Sequence, residues 1–437
     1  MTGVEQTRGN ILIQELSDLP TLDRTNENLR RLEILLIDYL ACTVSAAKKG
    51  GVASSPLSDD GVIGKGAWLA LQSSEGDRDD IDWIVGTHPG SVVWSTVFSI
   101  CLLHEKAREN FVEAARIGFR TSASIASFLG GAHRSKWHVT GTAGAFASAS
   151  AASVAFGYSQ TVHQKALQLA GANIGATTLA PRQRDGAAGF NRSAATTLGT
   201  SAAMAAVDGA VAVENLWDGP YGLLAMFSAS DFPAGVNLTV DGVSTTSLRL
   251  FPITGFAQSA VLATTLLAQR NSFELVSLDV HVAEGAISWL DGSRGGFWWD
   301  LKGAVAAAWS SKDPTNLTPT SAYLDQINVI PSSLPIGAAS VEVKTSSGRE
   351  VETISTPPGA DFDDPLVVEW MNTKWRALVG SQLSEVRDIS RTLIAGLSTP
   401  ELWDRVKRLL DHSDNQTFLR AGRSNRRGRA CGEMMPD

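Results

Sequence analysis

Two histidines stand immediately before stretches that read as helix starts. His138 precedes Val139-Thr140-Gly141-Thr142. A helix beginning there aims its free backbone N–H groups and the positive end of its dipole at whatever lies in front of it. That field makes an anion site, and it lowers the proton affinity of an imidazole. A neutral histidine able to take a proton near pH 7 is therefore the chemistry to expect. The same position also suits an ordinary capping or core histidine. His88 is followed by Pro89-Gly90 and an apolar helix from about Ser91. A loop histidine at a helix entrance can reach into a cleft or merely cap. The other histidines (His104, His133, His163, His281 and His412) make no His-x-x-x-His spacing and read as surface or structural groups. His133, after Gly130-Gly131-Ala132, reads as loop.

The elements that must position these groups are mainly helical. Leu29, Leu32, Leu36, Leu40 and Val44 form an apolar helical stripe over 26–46, with Asn26 or Asn28 as cap. Residues 47–79 read as loop with one short helix. Helices are expected over about 91–106, 110–129, 140–157, 161–173 and 192–213, several of them rich in Ala, Gly and Ser. After about residue 245 the texture changes. Residues 276–285 alternate like a half-buried strand, and 338–355 read as a hairpin turning at Ser346-Ser347-Gly348. A helical stretch at 302–309 lies between them, and helices return at 365–378 and 399–411. The organisation expected is a helical domain (1–245), an inserted α+β domain (246–376), a helical return (377–412) and a basic, disordered tail (413–437).

Composition bounds the function classes. The chain has 437 residues, 43% of them hydrophobic and 19% charged, which is enough apolar material for a large core. Lys and Arg number 37 against 45 Asp and Glu, a formal charge of −8, so nucleic acid is a poor partner. Cys42, Cys101 and Cys431 have neither metal-type spacing nor a disulfide framework, and a reducing, cytoplasmic setting fits. No signal peptide and no membrane span are read.

The chain resembles the MmgE/PrpD family over roughly residues 10–410 in collinear order. That family includes 2-methylcitrate dehydratase, cis-aconitate decarboxylase and iminodisuccinate epimerase. The resemblance begins at Leu35-Leu36-Ile37-Asp38-Tyr39-Leu40 and continues through Asp79 to His88-Pro89-Gly90. Its most specific part is Trp137-His138-Val139-Thr140-Gly141-Thr142-Ala143-Gly144, similar to the family's aromatic-His-Pro-Thr-Gly-Thr-x-Gly motif. Ala166–Gly171, Arg184-Asp185-Gly186-Ala187-Ala188, Arg249-Leu250-Phe251-Pro252, the 338–355 hairpin and Asp363-Asp364-Pro365-Leu366 follow in order.

The resemblance implies a mainly α fold with an inserted α+β lid domain, and a homodimer. It implies His138 as a catalytic residue with His88 beside it. It also exposes departures. Where the family uses lysines for substrate carboxylates, this chain has Pro181 next to Arg182, and Arg249; Arg184 replaces a family histidine. An arginine can hold a carboxylate bidentately but does not release its proton. Arg182 and Arg184 can also be solvated loop charges. Arg249 is expected to face the cleft. Asp80 and Asp82 are possible acids there, and Thr140, at the helix start, is a further candidate for binding substrate. The family's lid tyrosine has no counterpart; Trp289 lies nearest. The Trp298-Trp299 pair reads as lid packing.

The function expected is a cofactor-free enzyme moving protons beside a carbonyl or carboxylate of a small molecule. Its output is elimination or decarboxylation, or isomerisation or cyclisation, in specialised metabolism. A dehydratase or decarboxylase of a citrate-like acid is one alternative, and a non-catalytic binding or scaffold homologue is the other. No metal site is expected.

Overall fold

A computed structural model of the chain describes residues 8–18, 26–48, 61–183, 187–227, 238–290 and 296–411. Arg184 and the basic tail at 413–437 lie outside the described residues. The fold is mostly helical with a small mixed sheet. Among the described residues no helix is long and apolar enough to cross a membrane.

The helix Val139–Ala155 is the axis of the helical part. All of its residues are buried, so it has no solvent face. That is possible because its side chains are almost all Ala, Gly, Ser or Thr, which let neighbouring helices approach closely. Phe111–Lys136 packs on one side and Ala187–Val207 on the other, with Pro89–Leu103 and Gln160–Gly171 completing the shell. Several of its buried hydroxyls find partners across these contacts, although Ser153 Oγ finds none. Ser148 Oγ donates to the Thr196 carbonyl (3.0 Å) and lies 2.8 Å from Thr96 Oγ1. Ser150 Oγ accepts from Thr121 Oγ1 (2.9 Å) and lies 2.8 Å from His163 Nε2. Each pairing removes the cost of an orphaned buried hydroxyl.

A two-stranded ladder links the two halves. β1 (Ile81–Asp82) pairs antiparallel with β2 (Thr246–Ser247), Ile81 opposite Ser247 and Asp82 opposite Thr246. The larger sheet contains β3 (Leu275–Ala283), β4 (Ile327–Ser332), β5 (Ala339–Thr345) and β6 (Gly348–Ile354), in the order β4-β3-β5-β6. β3 and β4 are parallel, and the helix Leu301–Ser311 lies in the crossover that a parallel pair needs. β5 and β6 form the expected hairpin around Ser346-Ser347. Leu278, Val280 and Val282 turn one face of β3 inward, and the helix Gln258–Arg270 packs on the sheet.

The helix Pro365–Val379 belongs with the first long helix, Asn26–Lys48, and the boundary expected at 376 falls inside it. Lys374 Nζ sits 2.6 Å from Asp38 Oδ1, and Trp375 Nε1 donates to the same oxygen at 2.8 Å. The helix Leu383–Ile394, absent from the expected elements, follows it. The stretch 47–79, expected as loop with one short helix, contains the 13-residue helix Gly61–Ser73, packed against Pro89–Leu103 and Ala187–Val207.

Candidate active site

His88 and His138 occupy equivalent places. Each is the residue immediately before a helix, and neither imidazole caps it. The His88 amide donates to Thr140 Oγ1 (3.1 Å), which ties the two helix starts together. The His138 amide donates to the Ala176 carbonyl (2.9 Å), and its own carbonyl accepts from Gly141 (2.9 Å) and Thr142 (3.2 Å). Glycine is required at 141 by close approach, since a Cβ there would come within 2.3 Å of the Ala176 Cβ. His133, expected in a loop, is instead inside the helix Phe111–Lys136. Its Nε2 lies 2.8 Å from Thr142 Oγ1, so it braces the start of the His138 helix from behind.

The hydrogen bonds at the rings assign opposite tautomers. His88 Nδ1 lies 2.7 Å from the Asp80 carbonyl oxygen, which can only accept. His88 therefore carries its proton on Nδ1 and leaves Nε2 as a lone pair. His138 Nδ1 lies 3.1 Å from Asn191 Nδ2, which can only donate. His138 therefore accepts on Nδ1 and carries its proton on Nε2. Burial, then Arg192 and Arg249, pushes the His88 pKa down to about 4. Burial, then Arg192 and protonated His88, pushes that of His138 down to about 3. Both rings are neutral near pH 7.

Arg249 lies behind the histidines in a buried charge cluster. Continuing the β1–β2 register two residues outward sets Asp79 opposite Arg249. Arg249 Nε donates to the Asp79 carbonyl (2.8 Å), and its Nη2 donates to the Asp79 carboxylate. Nη1 reaches Asp77 Oδ2 at 2.6 Å. From the far side, Arg192 Nη1 lies 2.9 Å from Asp79 Oδ2, and its Nη2 3.4 Å from Asp77 Oδ1. Burial would raise the Asp77 carboxyl, but Arg249 and Arg192 outweigh it and hold it well below the usual range. Burial would likewise lower Arg249, but Asp77 and Asp79 hold it fully charged.

This corrects the expected role of Arg249. It does line the cavity, but both faces of its fork are taken by carboxylates of its own chain. The acids expected at the cleft also have other work. Asp80 is buried, and its carboxylate accepts the Gly90 amide through both oxygens (3.1 and 3.0 Å). Burial, then the neighbouring Asp79 and Asp38, raises its pKa well above the ordinary value. Asp82 accepts the amides of Ile84 and Val85 and the Thr245 hydroxyl. Neither Asp80, Asp82 nor Thr140 lines the cavity; all three shape the backbone that carries His88.

The cavity itself has a volume of about 1220 Å³ and includes both histidines, Arg182, Arg192, Arg249 and Trp289 in its lining. One wall is aromatic. Trp83 meets Phe256 edge-on (centroids 6.0 Å apart), Phe256 stacks on Trp289 (5.6 Å), and Trp289 leans on Trp299 (6.4 Å). Arg182 lies over the Trp289 ring at 4.4 Å and donates to Ser288 Oγ at 3.3 Å. Arg78 lies over Trp298 at 5.9 Å, and Lys374 fixes the Arg78 carbonyl at 2.8 Å. Trp298 and Trp299, expected as lid packing, thus face the cavity. Asn191 and Arg192 are site residues that the sequence reading misses. The one available signal is a cation at the start of an otherwise small and apolar helix. Among the described residues no group of three or more His, Cys, Asp or Glu side chains converges to hold a metal ion.

Fold and cavity define a mainly helical protein in which two helix-start histidines share a large cleft. Residues 68–234 match the MmgE/PrpD N-terminal domain model, a span that takes in both histidines, Arg182 and Arg192. That stretch of the chain is similar to the MmgE/PrpD family, whose members are generally dehydratases and other lyases. No curated protein matches the chain.

Proposed function

We propose that the chain is an enzyme of proton-transfer chemistry that works without a cofactor, on a substrate carbon beside a carbonyl or carboxylate. The observation that carries this reading is the complementary tautomers of His88 and His138 in one cavity. His88 Nε2 is the base and takes the carbon-bound proton. His138 Nε2–H is the acid, and serves either the departing group or the oxygen on which charge develops. Elimination uses the acid on a leaving group, consistent with the lyases of the family; isomerisation or cyclisation returns the proton elsewhere on the same molecule. Bases of such low proton affinity need a strongly activated C–H, one flanked by more than one electron-withdrawing group. An anionic substrate beside the rings also offsets the field of Arg192 and raises their basicity in the complex.

A citrate-like substrate is the second reading, and the family's dehydratases favour it. The occupied state of Arg249 weighs against it, because a highly charged acid loses one of its expected partners. Solvent exchange tests the chemistry directly. In D2O, a panel of keto acids and hydroxy acids is incubated with the protein and followed by NMR for loss of the proton next to the carbonyl. Exchange or conversion by the wild type, abolished in His88→Gln and His138→Gln variants that melt normally, is the expected result. Unchanged conversion in both variants sinks the reading and leaves a binding or scaffold role.

A further inference from the structure

The aromatic wall is unlike the tryptophans of the core. Trp94 and Trp217 are 0% exposed and lock helices together. Trp83, Phe256, Trp289 and Trp298 keep part of their surface open and line the cavity instead. A run of ring faces left partly open costs apolar hydration unless something covers it. The volume of about 1220 Å³ exceeds the range of roughly 300–1,000 Å³ typical of drug-sized ligands, and a small acid would leave most of the wall bare.

Charge narrows the ligand further. Arg192 and Arg249 are balanced by Asp77 and Asp79. Arg182 and Arg78 differ: each lies against an indole face, and among the described residues no carboxylate pairs with either. A guanidinium over an indole ring is attracted to it while its N–H groups stay available to an anion. The cavity therefore offers a long apolar surface with cationic groups at its tryptophans, inside a chain whose formal charge is −8.

We propose that this cavity takes an amphiphilic organic acid. Its aromatic or extended apolar body lies along Trp83, Phe256 and Trp289, and its carboxylate is held by Arg182 with Arg78 as the second cation. The proposal rests on the active-site reading above and names the substrate class for it. The apolar body supplies binding energy remote from the reacting carbon, which can be used to orient that carbon between His88 and His138.

Calorimetry on the full chain with three probes tests this: 1-naphthylacetate, its neutral amide 1-naphthylacetamide, and citrate. Naphthylacetate is expected to bind about tenfold or more tightly than either of the others, reflecting one charged hydrogen-bonded contact and one aromatic contact. Trp289→Ala should weaken naphthylacetate about tenfold. Arg182→Gln, on a short exposed helix, should remove the preference for acid over amide. Citrate binding tighter than naphthylacetate, equal binding of acid and amide, unchanged binding in both variants, or no binding of any probe each overturns the proposal. Affinity is read here without turnover. Failure of the histidine variants in D2O would leave these results standing, and failure here would leave the exchange chemistry standing.

Discussion

Asp79 and Arg249 face each other across the continuation of the β1–β2 ladder, and their ion pair joins the segment leading to His88 to the start of the α+β half. Breaking one side of a buried pair leaves the other side poorly compensated, and without Arg249 the two carboxylates Asp77 and Asp79 have only Arg192 between them. Arg249→Met is therefore expected to cost about 3–5 kcal/mol, as a lower urea midpoint at unchanged slope. Asp79→Asn should cost a comparable amount, because Arg249 and Arg192 are then left to share Asp77. An Arg249→Met midpoint equal to the wild type would show that the cluster does not hold the halves together.

Asn191 is expected to act as a positioning residue through His138. Replacing it with Asp presents an acceptor to Nδ1, which moves the ring proton to Nδ1 and strips the acid from Nε2. The carboxylate also raises the His138 pKa from about 3, a direction that NMR titration of the imidazole reads without any substrate. Conversion should fall about tenfold or more, mainly in kcat. A merely structural role for Asn191 would change melting and leave the His138 titration where it was.

Stability should decline with acid across a defined window. His88, His133 and His163 have pKa values pushed down to about 4, and His138 to about 3, chiefly by burial. Unfolded, each returns to an ordinary value of about 6.5. Between these values the unfolded chain binds more protons than the folded one, so stability is lost as pH falls from about 6.5 toward about 4. Asp77, whose folded value is held below the carboxylate range, adds to the loss only at the acid end, below about pH 5, and Asp80, whose folded value is raised, works against it there. Melting temperatures in a buffer series from pH 8 to pH 4 check the sign. A melting temperature that holds constant down to pH 4 would contradict the burial of these imidazoles in neutral form.

The two histidines were legible because each sits beside a helix start that small residues and proline announce. Their partners were not, for a physical reason. Asn191 and Arg192 reach the site only through the packing of Ala187–Val207 on the axial helix, which no local period encodes. Arg249 was found as a cation at the right place, but its neutralisation depends on a strand register across more than 160 residues. β4 was hidden by Pro331, which argues against a strand in a central position. Its place at the edge of the sheet, where the donor side of Pro331 needs no partner, resolves the conflict. The helix Leu383–Ile394 is different: Leu383, Val386, Ile389 and Leu393 have helical spacing, a signal that the sequence does carry.

The contact between Gly141 and Ala176 gives the most local test of how the fold aims the acid proposed at His138. A Cβ on residue 141 would meet the Ala176 Cβ at 2.3 Å, and Ala176 is also the residue whose carbonyl receives the His138 amide. Gly141→Ala must push Ala176 away, and the His138 backbone is tied to it. Overpacking of this kind costs about 1–3 kcal/mol. The expected result is a lower melting temperature together with a loss of conversion larger than the stability change explains, since misplacing an acid by a fraction of an ångström is felt in the rate. Ala176→Gly removes the obstructing methyl. Combined with Gly141→Ala, it should restore both properties in large part, because the two Cβ atoms compete for one space. If Gly141→Ala alone folds and converts substrate normally, the glycine of this motif is not there for close approach, and the placement of His138 does not depend on Ala176.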